Sequence, residues 1–460
     1  MQEGRKLPDP GSNKMGIMPV GKLLYSMALP MILSMLVQAL YNVVDSIYVS
    51  RISESAVTAL GLAFPIQNLQ IGFATGIGVG MNALLSKSLG EGNRERVNRA
   101  AGNGIILTAI STVLFMIFGF FGSHSYYAIQ SDVAETVNGG AAYTAICCIF
   151  SLGIFVEILG EKLLQASGRT IYTLFTQGTG AVVNIILDPI LIFGWFGLPK
   201  MGIAGAAVAT VIGQWIAAIM AVIFNIKCNP DVQFALKYLK PKKEVIIPIL
   251  TVGVPSIIMM GIGSVMNFGM NQIFQSFKNY GETATGVFGI YFKLQSFFFM
   301  PVFGMNNATI SIVAYNYGAR NPKRITTTLK WSVASVMVVM LLGVLAFQTI
   351  PHLLLGIFNP SEDFLAIGIS ALRIVSLIFP LAAIGIALGA SFQALGNGIY
   401  STITSLCRQL LALLPIAYLL SLSGDVHLVW WAFPIAEVIS LVVTLFLFVR
   451  IYRQKIKPMF

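Results

Sequence analysis

The sequence predicts an all-α integral membrane protein whose twelve transmembrane helices form two pseudo-symmetric six-helix lobes, an N-lobe and a C-lobe. Composition, segment length and an internal repeat predict it. Of 460 residues, 56% are hydrophobic and only 10% are charged, and mean hydropathy is +0.80. An ordinary globular domain carries about 25% charged residues, so disorder and a large water-soluble domain are both excluded. A membrane-crossing helix needs roughly 20 predominantly apolar residues. The apolar runs here are too long for barrel strands, and their polar residues lack a period of two.

Twelve such runs follow in order: 23–49, 57–86, 99–121, 136–159, 171–195, 202–226, 246–275, 284–312, 326–349, 364–388, 398–421 and 428–449. The first follows about 22 polar residues and has no clear cleavage pattern, so it is expected to stay as a span rather than leave as a signal peptide. The predicted organisation is a tail over 1–22, an N-lobe over 23–226, a basic linker over 227–245, a C-lobe over 246–449 and a tail over 450–460. Net charge is +11, and 23 of the 29 Lys and Arg fall in the two tails and in the loops near 87–99, 161–170, 227–244 and 314–330. The positive-inside rule then places both termini in the cytoplasm, and topology explains the basic charge without a nucleic-acid partner.

A shift of 228 residues lays Gly61, Phe64, Gln67, Gly76, Gly90, Asn93 and Arg96 on Gly289, Phe292, Gln295, Gly304, Gly318, Asn321 and Arg324. The same shift lays Gln165, Ala166, Gly168, Ile171 and Tyr172 on Gln393, Ala394, Gly396, Ile399 and Tyr400. A shift of 225 lays Pro30 and Asn42 on Pro255 and Asn267. Matches in polar loops at one constant offset mark a true duplication. Repeats of six helices keep the same topology, so the halves are parallel about an axis along the membrane normal, the plan of an alternating-access carrier.

Four cysteines, Cys147, Cys148, Cys228 and Cys407, show no CxxC spacing, and the three histidines are scattered, so neither a disulfide framework nor a cysteine–histidine metal site is expected. No cofactor, Walker A loop or nucleophile elbow appears, which argues against an enzyme. Charges inside the bilayer are costly and mark function by default. Asp45 and Asp188 look deepest, with Glu157 nearer a helix end. Asn42 and Asp45, three apart, share a face along which Gln38 and Tyr41 also lie, and Asn184 and Asp188, four apart, share another. Pro189 frees the carbonyl of residue 185 beside them. Thr210 adds a hydroxyl. Such an all-oxygen site suits Na⁺, while two neighbouring carboxylates equally suit one shared proton. The acid–amide pair exists in one lobe only, since the 228 shift lays Asn184 on Ala412 and Asp188 on Ile416. The C-lobe instead offers Met259, Met260, Met266 and Met270, Phe297 to Phe299, and the amides Asn267 and Asn271. Met surfaces adapt to varied ligands and aromatic faces attract organic cations. Met266, Asn267, Met270, Asn271 and Phe298, with Gln38, Tyr41, Asn42 and Glu157, are therefore candidate substrate-binding residues.

The stretches Leu29-Pro30 through Val44-Asp45-Ser46, Gly90-Glu91-Gly92-Asn93, Gln165-Ala166-Ser167-Gly168-Arg169, Asn184 to Asp188-Pro189, Gly205 through Thr210, and Gln393-Ala394-Leu395-Gly396 together resemble the MATE (multidrug and toxic compound extrusion) family over nearly the whole chain. The resemblance implies a multi-pass antiporter of a bacterial inner membrane, sufficient as a monomer, that exports cationic drugs in exchange for Na⁺ or H⁺. It implies cation coupling at Asp45, Asn184, Asp188 and Thr210, with Ala206 giving a backbone carbonyl. One branch of the family uses acids on the seventh and tenth helices; here the seventh has none and the tenth has only Arg373 in its interior, which favours the N-lobe. The alternatives are a lipid-linked sugar flippase of similar shape, which usually carries more cavity bases, and a major-facilitator carrier. The loop Gly90-Glu91-Gly92-Asn93-Arg94-Glu95-Arg96 lacks the latter's Asp-Arg step.

Overall fold

The computed structural model describes residues 13–278, 280–358 and 361–460, apart from a few side chains within its helices, and it is all-helical among these residues. Among the described residues ten helices are long and apolar enough to span a membrane, and two further pairs, each bent by 47° at a short break, bring the spans to twelve when each pair is taken as one span. The N-lobe comprises α1 (Val20–Ser50), α2 (Glu54–Gly90), α3 (Arg94–Phe121), the bent α4 (Ala134–Ile149 and Leu152–Ala166), α5 (Ile171–Phe193) and α6 (Ile203–Cys228). The C-lobe comprises α7 (Lys243–Gln275), α8 (Gly281–Gly318), α9 (Pro322–Thr349), the bent α10 (Glu362–Ser376 and Phe379–Ala394), α11 (Gly398–Ser421) and α12 (Ala432–Ile451). The fold is therefore the two-lobe, twelve-helix membrane bundle expected.

The repeat is visible in detail. Asn93 and Asn321 each cap a helix, their side-chain oxygens accepting from Arg96 N at 3.0 Å and Arg324 N at 3.2 Å. This satisfies N–H groups that a helix start leaves without partners. Gly168 and Gly396 both take left-handed φ, +80° and +77°, and end the second halves of α4 and α10. At the 228-residue offset the breaks fall within one residue of each other, at Phe150-Ser151 and Leu377-Ile378.

The lobes meet where α2 packs along α7 and α1 along α8. Backbones come close at the basic-loop end. A Cβ on Gly90 would lie 1.9 Å from the Tyr315 carbonyl oxygen, and one on its repeat partner Gly318 would lie 2.0 Å from that of Lys87. Lys162 Nζ donates across the seam to Asn307 Oδ1 at 3.1 Å, and Ser311 Oγ to Asn82 Oδ1 at 3.1 Å. Residues 13–18, placed in a tail from the sequence, seal the same end, while residues 1–12 lie outside the described part. Asn13 Nδ2 donates to the Ser167 carbonyl at 3.1 Å, and Arg324 Nη2 donates to those of Met15 and Met18 at 3.0 and 2.7 Å. In the linker, burial raises the carboxyl of Asp231, against the opposing pull of the Arg169 guanidinium 3.5 Å away.

Candidate functional site

Each lobe holds a large cavity. The N-lobe cavity, about 570 Å³, is lined by Gln38, Tyr41, Asp45, Glu157, Asn184 and Thr210 among others. Asp45 is 8% exposed, and its Oδ1 has no hydrogen-bond partner among the described residues. A buried carboxylate oxygen without a partner is expensive, so this atom is set to receive a cation or a proton. Asp188 is fully buried and is not part of the cavity wall; Asn184 stands between it and the space.

The Asn184 amide orientation follows from its partners: Nδ2 donates to Asp188 Oδ2 at 3.2 Å, while Oδ1 accepts from the Thr210 hydroxyl at 3.3 Å and the Thr210 N–H at 3.1 Å. The arrangement has a local cause. Asn184 and Asp188 lie one turn apart on α5, and Pro189 inside that helix leaves the Ile185 carbonyl without its usual donor. Gly180 and Gly213 let α5 and α6 approach, which brings Thr210 opposite Asn184. Ala206, one turn before Thr210, is fully buried. Among the described residues no cluster of three or more His, Cys, Asp or Glu is placed to hold a metal ion. A cation here would rely on one or two carboxylates supplemented by amide, hydroxyl and carbonyl oxygens.

The C-lobe cavity, about 510 Å³, takes Met266, Met259, Phe299 and Tyr291 into its wall. The other C-lobe candidates lie elsewhere: Met270 is fully buried in the core, Asn267 Nδ2 donates back to its own helix at the Gly263 carbonyl, 3.0 Å, and Phe298 packs edge-on against Phe347 at 5.6 Å. None of these three, nor Asn271, lines the cavity. The side chain of Asn42 lies outside the described part of the structure.

Sequence reasoning left several groups out. Gln67, Asn68, Gln70, Gln177 and Gln214 also line the N-lobe cavity; amides recurring inside apolar runs were the signal. Glu161 and Lys162, placed from the sequence in a loop, are 4% and 6% exposed inside α4. Glu161 accepts from Thr176 Oγ1 at 2.7 Å and Gln177 Nε2 at 2.9 Å.

Two parallel six-helix lobes, sealed together at one end and each hollowed by a largely apolar cavity that carries polar side chains, define a polytopic membrane protein built on the transporter plan. The sequence model of the MatE family matches residues 30–190 and again 255–419, once per lobe, and the chain belongs to that family. It is similar to the multidrug export protein MepA of Staphylococcus aureus (strain MSSA476), 25% identical over 428 residues that cover 91% of each chain. The probable multidrug resistance protein YoeA of Bacillus subtilis (strain 168) is 25% identical over 432 residues, 93% of each chain. Among solved structures, MATE in complex with MaL6 superposes with a TM-score of 0.89 at 25% identity, covering 97% of this chain and 98% of that one. The outward-facing conformation of a multidrug resistance MATE family transporter gives 0.90 at 24% identity over 99% of both chains, a likeness of fold.

Proposed function

We propose that this protein is a multidrug exporter of a bacterial plasma membrane, a carrier and not an enzyme, which expels amphiphilic organic cations in exchange for Na⁺ or H⁺. The observation that carries the reading is the partnerless oxygen of Asp45 on a roomy N-lobe cavity, with Asp188 held behind it through Asn184. The MatE relatives named for multidrug export support the substrate class.

The coupling follows from the arrangement. With the basic end of the seam closed, drug and ion compete for one acidic wall. Entry of the inorganic cation neutralises the Asp45 and Asp188 pair and weakens its hold on an organic cation, which leaves. The lobes then open at the cytoplasmic end, release the ion and take up a new drug. The ion must bind the two states with different affinity, or nothing moves. Tyr41 and Gln38, one turn and two turns before Asp45 on α1, face the same space and contribute a ring and an amide to the drug. Both termini are cytoplasmic in this reading, and a monomer suffices.

Dye efflux from proteoliposomes under a Na⁺ gradient alone, and then under a pH gradient alone, tests this. Export is expected to follow one of them and to vanish in Asp45→Asn. Export that ignores both gradients, or that survives intact in Asp45→Asn, overturns the reading.

A further inference from the structure

At the offset of 228 residues Ser167 answers to Leu395. Each ends the second half of a broken helix, just before Gly168 or Gly396. Carbonyls at a helix end lack partners within the helix, and here each of the two is taken by a segment flanking the bundle. In the C-lobe Lys455 Nζ, from the stretch after α12, donates to the Leu395 carbonyl at 2.6 Å and to Asn397 Oδ1. In the N-lobe Asn13 Nδ2, from the stretch before α1, donates to the Ser167 carbonyl at 3.1 Å and to Asp231 Oδ2 at 3.4 Å. The two contacts differ in what carries the donor. Lys455 stays within its own lobe, since Ile451 and Ile456 are fully buried in one cluster with Leu395 and Phe392. Asn13 reaches across the seam. Met15, two residues on, is fully buried in a cluster with Ile312 and Tyr315 of α8, and Leu23, Leu24 and Met27 of α1 lie in the same cluster. Asn316 Nδ2 donates to the Met15 carbonyl at 3.2 Å, and Arg324 Nη2 to those of Met15 and Met18. The repeat explains why Arg324 is available: its counterpart Arg96 pairs with Glu91 at 3.4 Å, but Glu91 answers to Ala319. Without that carboxylate the guanidinium turns to backbone. Asn13 Oδ1 accepts from Met15 N at 3.0 Å, which leaves Nδ2 directed at the N-lobe.

We propose that residues 13–18 are a latch, carried by the C-lobe and caught on the N-lobe by Asn13, that sets how readily the basic-loop end of the seam opens. The inference rests on the reading of this protein as a carrier whose lobes part at that end. Parting takes Ser167 and Asp231 away from Asn13. The segment is anchored to the C-lobe by a buried side chain and by donors of Arg324 and Asn316, so its amide to the N-lobe is the weaker hold. Two residues of chain between Asn13 and Met15 span about 7 Å at most, so Asn13 cannot follow a lobe that moves further. An interaction made in one state alone biases the equilibrium between states, and one made in both does not. The Asn13 contact is of the first kind. The Lys455 contact is of the second, because its donor and acceptor move together.

The test reads opening directly. Ser311 is fully buried at the seam, where its Oγ donates to Asn82 Oδ1. Full-length protein carrying Ser311→Cys is placed in lipid nanodiscs with neither drug nor ion gradient and treated with a water-soluble maleimide. Modification of the peptide that holds the introduced thiol is followed by mass, so the native cysteines stay in place. The reagent reaches that thiol in molecules whose seam has opened, and the rate tracks the open fraction. Asn13→Asp keeps an oxygen suited to cap Met15 N, but it removes the donor and sets an acid beside Asp231. It is expected to raise the rate by ~10-fold, the worth of a hydrogen bond to a charged group. Lys455→Met removes the homologous donor and should leave the rate unchanged. A rate that Asn13→Asp does not raise, or that Lys455→Met raises as much, overturns the proposal. With no substrate present, a faster rate in Asn13→Asp beside dye export that ignores both gradients would uphold the latch and sink the export reading.

Discussion

The two lobes share one scaffold and carry opposite chemistry. At the offset of 228 residues, Asn184 and Asp188 of α5 answer to Ala412 and Ile416 of α11, while Gly180 answers to Arg408. Glu157 of α4 answers to Gly385 of α10, and the acid that faces the C-lobe cavity comes from α12 instead, as Glu437 where the N-lobe has Ala209. Among the described lining residues, the N-lobe cavity therefore sets its carboxylates without a Lys or Arg beside them, whereas the C-lobe cavity sets Glu437 3.9 Å from the Arg408 guanidinium. An unpaired buried carboxylate can change its free energy greatly on taking a cation; a paired one has little left to gain. Duplication supplied two cavities of similar size, and in the proposed exchange only the N-lobe one answers to a small cation.

The largest effect expected from that contrast is in the acid proposed to couple transport, Asp188. Asp188→Asn keeps the volume and the contact with Asn184 but removes the charge. Gradient-driven dye export should fall to the level of empty liposomes. The double variant Arg408→Met/Glu437→Met should give export of a plain cation that still rises with the imposed gradient, whatever its level. If the two behave alike, the lobes are not divided as argued.

Next in size is the seam. A Cβ at Gly90 or Gly318 would run into a backbone carbonyl at 1.9 or 2.0 Å, and backbone cannot rotate aside. The helices must separate, at a cost of about 1–3 kcal/mol. Gly90→Ala and Gly318→Ala are each expected to raise hydrogen–deuterium exchange in 76–90 and 304–318. Gly289→Ala, with nothing within 4 Å of its added Cβ, should not. A response to only one seam variant would show that the two halves of the closure are unequal.

Smaller again is the hydroxyl that steadies Asn184. Thr210→Val preserves shape and removes one hydrogen bond, worth about 0.5–1.5 kcal/mol. The ion concentration for half-maximal export should rise by roughly 2–10-fold, with the maximal rate less affected. An unchanged half-saturation would remove Thr210 from the ion's surroundings.

How much of this the sequence carried depends on range. Each span was legible because twenty-odd apolar residues leave no other option, and the duplication was legible because Asn93, Asn321, Gly168 and Gly396 do local work that loops otherwise leave free. The break in α4 was not, since Phe150-Ser151 contains no proline or glycine to announce it. Helical spacing put Asn184 and Asp188 on one face but could not give depth, so it did not show that the amide screens the acid from the cavity. Glu161 and Lys162 read as a loop because a charged pair after an apolar run usually ends a span; α4 continues to Ala166 and buries them. The meeting of Arg408 with Glu437 depends on how α11 and α12 pack, which no short-range pattern encodes.

The smallest expected effect lies in the apolar wall of the C-lobe cavity. Met266 is 7% exposed and lines that cavity beside Phe299. Its thioether side chain is flexible, so it can follow ligands of different outline. Leu has nearly the same volume and fewer rotatable bonds, and such a swap typically costs less than about 1.5 kcal/mol of stability. Met266→Leu should therefore leave the melting temperature within a few degrees. What it removes is adaptability, so the spread of affinities across a panel of dissimilar dyes should widen while the best-bound dye changes little. An N-lobe change such as Gln38→Leu removes a polar group instead and should weaken the panel in step. If Met266→Leu also lowered every affinity together, the C-lobe wall would be recognising ligands by a fixed shape, and the contrast between a responsive acidic lobe and an accommodating apolar one would lose its second half.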